Sequence, residues 1–482
     1  MKNSTQKIDT GRLDASGRSS YKRCMNTSAN NVSPCDGQIE QKSLFALPAE
    51  EALPPERSLE GARPRVQRPE RQQMVMQAQA LDDLLAEDHQ ARLVWQYVEG
   101  LDLGRLYRQI RAVEGRAGRD PIDPKILMAL WLYATLEGVG SARQLDRLCR
   151  DHVAYRWICG GVTVNYHTLS DFRTAHVEVL DELLTASVAG LMHQGLVTLK
   201  RVAQDGMRVR ASAGAASFRR EPTLQQCHQQ AQEQVEALRK ELEADPGACT
   251  KRQQAARQRA AAERAERIRR ALTEVPQVQA SKKAGQKAKA RVSTTEPEAR
   301  VMKMADGGFR PAHNVQFATD TASQVIADVD VVNSGVDQGQ MAPMVEQHRR
   351  RYGQAPPEWL VDGGFAKKED IETVSGPEVG TTVYAPVQKS KDPGRDPHTP
   401  RSDDSEAVRA WRVRMGTVPA KEIYKERGST AECVNALSRN RGLRQFLVRG
   451  LQKVRAVALW FALAHNLLRA VALGALAVRM VT

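Results

Sequence analysis

Residues 421–443 read KEIYKERGSTAECVNALSRNRGL, and the interpretation of the whole chain depends on this stretch. It predicts a helix that carries Tyr424, Arg427, Glu432 and Arg439. Glu432 and Arg439 are seven positions apart, which is about two helical turns, so they share a helix face. Such a face can hold a metal ion through the carboxylate and a phosphate through the basic side chains. The alternative is a surface helix with ordinary charge pairs.

Residues 196–217 and 301–482, which include this helix, show the order of an α/β domain. Strands are predicted in LVTLKRVAQDGMRVRAS, HNVQFATD, SQVIADVDVVN, PEWLVDGG and TTVYAP. Helices are predicted in QGQMAPMVEQHRRRYG and from Ala366 to Val374, between the later strands. This order indicates an α/β fold with a mixed sheet.

Three acidic residues stand where such a sheet would present them. Asp205 follows the apolar start of the first strand, Asp362 ends PEWLVDGG, and Glu432 lies on the late helix. Two divalent ions that cut a phosphodiester need shared carboxylate ligands of this kind. Asp-Gly is also a common turn signal, so both aspartates can be plain strand ends. Asp306 in ADGGF and Glu426 compete for the second and third positions.

These residues resemble a known family. YKERGSTAE followed by Arg439 resembles the Tyr-Arg-Glu-Lys signature of bacterial insertion-sequence transposases of the DDE type, and Asp205 in VAQDGMRV and Asp362 in LVDGGF look like its first two acids. The resemblance covers roughly residues 75–470. Two departures are visible. Four residues instead of three separate Arg427 from Glu432, and the last position is Arg instead of Lys.

The resemblance implies an RNase H-like catalytic fold in which Asp205, Asp362 and Glu432 bind two Mg²⁺ ions, with Mn²⁺ able to substitute. It also implies that a homo-oligomer on double-stranded DNA cuts the terminal inverted repeats of an insertion sequence and joins them to target DNA. Tyr424, Arg427 and Arg439 are carried over as contacts to the DNA backbone. The expected location is the bacterial cytoplasm, in association with the nucleoid.

Residues 75–195 are predicted to form an N-terminal all-α DNA-binding domain, preceded by a disordered tail over residues 1–70. Two helical segments around Gly160-Gly161 are compatible with a helix-turn-helix, in which Arg143, Arg147 and Arg173 would meet a phosphate backbone. In the alternative reading, the nearby aromatic residues are core and the arginines are a solvated face.

Residues 218–300 interrupt the sheet with two apolar 3-4 patterns around Pro246-Gly247, which predicts an inserted helical hairpin. Residues 250–300 contain 14 Lys and Arg against 5 Asp and Glu, a surplus of 9 in a chain whose net charge is +14. This basic hairpin therefore carries much of the electrostatic attraction for a polyanion. The segment SKKAGQKAKARVSTTEPEAR is predicted to be a mobile linker.

Composition limits the other classes of protein. The pI near 9.5 favours a nucleic acid or an acidic membrane surface as partner. Seven cysteines without a CxxC pair suit a reduced protein, and the first 40 residues have no apolar core of a secretory signal. The C-terminal run VRAVALWFALAHNLLRAVALGALAVRM is interrupted by Arg455, His465 and Arg469, which favours a buried core helix over a membrane span.

Two rival functions remain open at this stage. The first is another RNase H-fold nuclease or resolvase that cuts DNA without strand transfer. The second is a catalytically inactive DNA-binding protein or repressor that derives from such an element and uses the N-terminal helices and the basic hairpin. The presence of all three acids favours the transposase over the repressor.

Overall fold

The computed structural model describes residues 72, 74, 78–113, 120–244, 250–389 and 394–476. The predicted disordered tail and the Pro246-Gly247 turn lie outside the described residues. From Gln77 onward the chain forms one compact unit. Seven helices precede the sheet: α1 (Gln90–Glu99), α2 (Gly104–Tyr107), α3 (Pro124–Leu136), α4 (Ala142–Asp151), α5 (Val153–Cys159), α6 (Tyr166–Ala175) and α7 (Val177–His193).

The local sequence sets the ends of these helices. The Asp123 side chain accepts a hydrogen bond from the backbone N–H of Lys125, and Pro124 occupies the first turn of α3, as predicted. Gly160 and Gly161 have φ values of 56° and 85°, a region that favours glycine, and they end α5. The prediction of two helical segments around this Gly-Gly turn is confirmed.

Eight strands follow: β1 (Arg201–Arg210), β2 (Phe218–Arg219), β3 (Val292–Ser293), β4 (Arg300–Lys303), β5 (Phe309–Asp320), β6 (Ile326–Val332), β7 (Glu358–Leu360) and β8 (Thr382–Tyr384). Six of them form a mixed sheet in the order β4-β5-β1-β7-β8, with β6 also paired to β5. The strand β1 is antiparallel to β5 and parallel to β7, and β7 is parallel to β8. The predicted mixed α/β order is confirmed.

The remaining helices are α8 (Glu221–Ala244), α9 (Lys251–Ala280), α10 (Met341–Tyr352), α11 (Lys368–Ser375), α12 (Glu406–Gly416), α13 (Val418–Arg427), α14 (Cys433–Asn440) and α15 (Leu451–Ala472). One core cluster joins α10 to α13 with Trp359 and Phe365 of the β7 region. A second cluster joins the N-terminal helices, α15 and the sheet residues Met207 and Phe317. The N-terminal helices and the sheet therefore share one core.

Helix α15 is the C-terminal apolar run. It is long and apolar enough to cross a membrane by length and composition, and 78% of its most apolar window is buried inside the protein. Asn466 accepts a hydrogen bond from the backbone N–H of Ile326 and donates to its carbonyl, both at 2.8 Å, which fixes α15 to β6. The prediction of a buried core helix is confirmed.

The insertion is an antiparallel pair of helices. Arg257 pairs with Glu241 at 3.1 Å, and Gln279 near the end of α9 bonds to Glu221 at the start of α8, at 2.9 Å. The strands β2 and β3 close its base, and Val292 of β3 is fully buried against the hairpin. The mobile-linker prediction is therefore wrong for residues 290–293. Ala290 and Val292 are buried against the hairpin, and these two apolar side chains anchor an otherwise basic, polar segment.

Candidate active site

Strand register brings Asp205 and Asp362 together. Ala203 of β1 lies opposite Leu360 of β7 in the parallel pair, and each aspartate follows two residues later. Neighbouring strands are about 4.8 Å apart, so the two aspartates leave the sheet side by side. Asp205 is not at a strand end as expected, because β1 continues to Arg210 along its longer antiparallel partner β5. It lies two residues beyond Ala203, the last residue of β1 that pairs with the parallel strand β7.

The two aspartates are held by different partners. Asp205 Oδ2 accepts a hydrogen bond from Asn435 Nδ2 at 2.8 Å, and Asp205 Oδ1 accepts one from Arg427 Nη2 at 2.9 Å. Asp362 Oδ1 accepts from the backbone N–H of Gly364 at 2.7 Å. The other carboxylate oxygen of Asp362, Oδ2, takes no part in this turn and faces Arg427.

All three predicted acids converge on the guanidinium of Arg427. Besides its bond to Asp205, Arg427 Nη2 lies 3.9 Å from Asp362 Oδ2, and Nη1 lies 3.7 Å from Glu432 Oε1. The Arg427 side chain is only 10% exposed, whereas the carboxylates of Asp205, Asp362 and Glu432 are 18%, 41% and 70% exposed. Arg427 therefore forms the buried side of the site, and Glu432 lies on its solvent-exposed side.

A π-helical turn over Gly428–Glu432 accommodates the extra residue of the signature. In an α-helix, residues five positions apart point about 140° away from each other. A π-helical turn closes an i→i+5 hydrogen bond, so residues five apart return to the same side. Arg427 and Glu432 consequently face one another despite the fourth intervening residue. Single π turns inside α-helices are frequent at functional sites.

The environment of the site changes two pKa values. Burial raises the pKa of Asp205, the Arg427 guanidinium opposes this rise, and the Asp362 carboxylate adds to it. Burial likewise raises the pKa of the Tyr424 hydroxyl, which also experiences Arg427, Asp362 and Asp205. Tyr424 is thus electrostatically part of this site, as its place in the signature suggests.

The two rival acids lie elsewhere. Glu426 forms an ion pair with Arg201, the first residue of β1, four residues before Asp205. Asp306 sits in the exposed turn between β4 and β5 and pairs with Arg310 at 2.7 Å. The sequence reasoning missed Asn435, which fixes Asp205. Its spacing of three from Glu432 on one helix is a signal that could have found it.

The predicted DNA-contacting arginines divide into two groups. Arg143, Arg147 and Arg439 are exposed, and the Arg143 guanidinium lies 5.2 Å from the centre of the Tyr166 ring. Arg173 is instead buried, because it lies four residues after Leu169 on the core face of α6. Its guanidinium stacks on Trp131 and donates to the Gly140 carbonyl. Arg173 is therefore a buried residue and not part of the exposed face that carries Arg143 and Arg147.

As positioned around Arg427, the acids do not form a ready metal cage: among the described residues, no group of three or more His, Cys, Asp or Glu is close enough to hold an ion. Their chemistry nevertheless fits a divalent cation, because carboxylate oxygens are the preferred ligands of Mg²⁺. The Arg427 guanidinium lies between the three carboxylates and balances their charge, so a divalent cation at this place would have to displace it.

Two family models match the chain. Residues 79–175 match a transposase domain (DUF772), and residues 388–471 match a transposase DDE domain. The second match contains Glu432 and Arg439, whereas Asp205 and Asp362 lie between the two matched regions. Neither a curated protein nor a solved structure matches the chain.

The two matched domains identify the class of protein as a transposase. Together they support an insertion-sequence transposase of the DDE type. It is thus an enzyme whose substrate is DNA, of a family that generally uses divalent metal ions.

Proposed function

We propose that this transposase binds the terminal inverted repeats of its insertion sequence, cuts the DNA at the element ends and joins them to target DNA at Asp205, Asp362 and Glu432. The observation that carries the proposal is the convergence of these three acids on Arg427, although they are far apart in the chain. Asp205 reaches Arg427 from β1 and Asp362 from the segment that follows β7, both more than 60 residues before it in the chain.

An RNase H-like core is part of the proposal. A central strand with an antiparallel neighbour on one side and parallel strands on the other supports it. The placement of Asp205 on the central strand, and of Asp362 directly after its parallel neighbour, supports it further. A carboxylate beside the central strand of a sheet is held rigidly, which two-metal chemistry requires.

In this site Asp205, Asp362 and Glu432 would hold two Mg²⁺ ions, or Mn²⁺ in their place. When bound, such ions activate water and stabilise the leaving oxygen of the phosphodiester. Asn435 orients the Asp205 carboxylate, and the Gly364 N–H orients that of Asp362. In the proposed site Arg427 balances the charge of the three carboxylates when no ion is bound, and Tyr424 and Arg439 contact the backbone of the DNA strand.

Two further parts of the proposal rest on the family alone. The protein acts as a homo-oligomer assembled on double-stranded DNA, and it acts in the bacterial cytoplasm at the nucleoid. The exposed Arg143 and Arg147 on α4, the basic helix α9 and the Lys- and Arg-rich segment that follows it supply charge for DNA binding.

The matched pair ADGGF and VDGGF gives a sharp test, because both aspartates precede two glycines. Nicking of DNA that carries the element ends is measured in Mg²⁺ buffer. We expect Asp362→Asn to lower the nicking rate by at least about 10³-fold, because a ligand is lost, and Asp306→Asn to leave it unchanged. Nicking that survives Asp362→Asn contradicts the assignment.

The same assay separates the rivals. Cut ends without joined product would identify a nuclease without strand transfer. Tight binding of the ends with no metal-dependent nicking by the wild-type protein would identify an inactive DNA-binding derivative.

A further inference from the structure

A basic cavity lies where the α3–α4 loop meets the segment that follows α14. Its polar lining includes Arg173, Arg441, Arg444, Ser141, Gln144 and Gln445. No Asp or Glu is among the residues that line it. The cavity is separate from the carboxylate site, and it brings together residues of the N-terminal helices and of the C-terminal matched region.

The walls of this cavity are fixed by a close backbone contact. Gly138 and Gly442 have φ values of 71° and 94°, and a Cβ on Gly442 would lie 3.3 Å from the Gly138 carbonyl oxygen. Side chains at these positions would push the two loops apart. The geometry of the cavity is thus set by backbone, and does not depend on flexible side chains alone.

The positive charge in the cavity has no counter-ion within the described chain. No carboxylate there forms an ion pair with Arg173, Arg441 or Arg444. Arg173 is 8% exposed, and its buried Nε has no hydrogen-bond partner among the described residues. Burial lowers the pKa of Arg441, and lowers that of Arg173 to about 10. Arg173 is a buried cation without a carboxylate partner among the described residues, which is costly, so an anion beside it in the cavity would be favourable.

The backbone around the cavity adds to this preference. Ser141 caps the N-terminus of α4, where the helix dipole favours negative charge. Gln144 and Gln445 supply neutral amide donors beside the guanidinium groups. Arginine recognises tetrahedral oxyanions through two parallel N–H donors, which suits a phosphate better than a single carboxylate oxygen.

We propose that this cavity binds a phosphodiester group of the DNA substrate, a few nucleotides away from the bond that is cut. The proposal rests on the proposed function for the choice of DNA as the source of the phosphate. Arg444 Nε donates to the carbonyl of Arg439, the last residue of the signature, so the cavity lies beside the end of the signature. Glu432 and Arg439 are separated by about 10 Å of helix, which corresponds to roughly three nucleotides along one strand.

Salt dependence of DNA binding tests the proposal. The wild-type chain, Arg441→Gln, Arg444→Gln and the double variant are compared by fluorescence anisotropy with a duplex of about 30 base pairs, from about 50 to 200 mM salt. Arg349→Gln is the matched control, because Arg349 is a surface arginine on α10 that lines neither site. Thermal melting of each variant checks its fold, and the exposed Arg444 keeps the test usable if Arg441→Gln does not fold.

Loss of one phosphate contact lowers the slope of log K against log salt by about 0.9, which weakens binding about eightfold at 0.1 M salt. We expect this change for the double variant and no change in slope for Arg349→Gln. Because the slope reports binding and not cleavage, it is independent of the nicking assay that tests the proposed function.

A second arm identifies the source of the phosphate. Inorganic phosphate is titrated against the melting temperature of the wild-type chain and the double variant. If phosphate stabilises only the wild-type chain and the DNA slope is unchanged, the cavity binds a free phosphate compound and the DNA assignment is overturned. Unchanged slopes with no effect of phosphate overturn the proposal altogether and leave a structural cavity.

Discussion

Two regions of this transposase combine buried arginine with carboxylates, and they differ in what surrounds the charges. Between α7, β6 and α10, Asp328 is fully buried and faces His348 at 2.6 Å and Arg351 at 3.2 Å, while Arg351 also pairs with Asp181. At the candidate active site, Arg427 is equally buried, but its carboxylates become progressively more exposed towards Glu432.

The difference teaches how to separate structural from functional charge. Asp328 Oδ2 lies 2.6 Å from His348 Nδ1 and Oδ1 lies 3.2 Å from Arg351 Nε inside the core, and Arg351 ties this cluster to Asp181 of α7. At the other site one arginine faces three carboxylates, and the side chains of Asp362 and Glu432 are exposed to solvent. The types of charged residue are similar in both regions, and the exposure of the carboxylates distinguishes them.

The largest effect is expected when the same change is made in both regions. Arg351→Met leaves Asp328 buried with one basic partner fewer, which should lower the free energy of unfolding by about 3–5 kcal/mol. Arg427→Met should cost only about 1–3 kcal/mol, because the exposed carboxylates can take up water instead. Chemical denaturation of both variants measures the difference, and equal losses would remove the distinction between the two regions.

A smaller effect concerns metal binding at Arg427. Without this guanidinium, Asp205, Asp362 and Glu432 repel one another, and a divalent cation relieves the repulsion. We therefore expect Mn²⁺ to raise the melting temperature of Arg427→Met by several degrees more than that of the wild-type protein. Arg351→Met is the control and should respond to Mn²⁺ like the wild type. A smaller Mn²⁺ response for Arg427→Met would argue that Arg427 supports the metal site instead of balancing its charge.

The smallest effect is expected for Asp205→Asn at neutral pH. Burial raises the folded-state pKa of Asp205 above its unfolded value. The native protein then holds this proton to higher pH than the unfolded chain, so the free energy of unfolding falls as pH rises through the two pKa values.

Asparagine does not titrate, so that fall should be smaller in Asp205→Asn, and its unfolding free energy at pH 7 should lie within about 1 kcal/mol of the wild type or above it. Urea unfolding between pH 3 and 8, as a rough range, checks both points. A pronounced loss of stability at pH 7 would show that Asp205 is a structural residue like Asp328.

The sequence alone predicted the mixed α/β order of elements, the buried α15 and the antiparallel insertion, because alternating and 3-4 apolar patterns report which face of an element is buried. It also selected Asp205, Asp362 and Glu432 as candidate acids. The Tyr-Arg-Glu-Lys-like signature identified the family, and the two domain matches agree with it. It could not reveal that Arg173 turns inward, because burial of a charged side chain depends on the partners that other segments provide.

Only the tertiary structure decided which acids meet. The parallel register of β1 and β7 puts Asp205 beside Asp362, and a choice between Asp362 and Asp306 needs that register, since both precede Gly-Gly. The π turn at Gly428–Glu432 settles the spacing of the signature, because backbone hydrogen bonding, and not residue count, sets which side chains share a helix face. Pairing between distant segments therefore determines which of the candidate residues come together in the site.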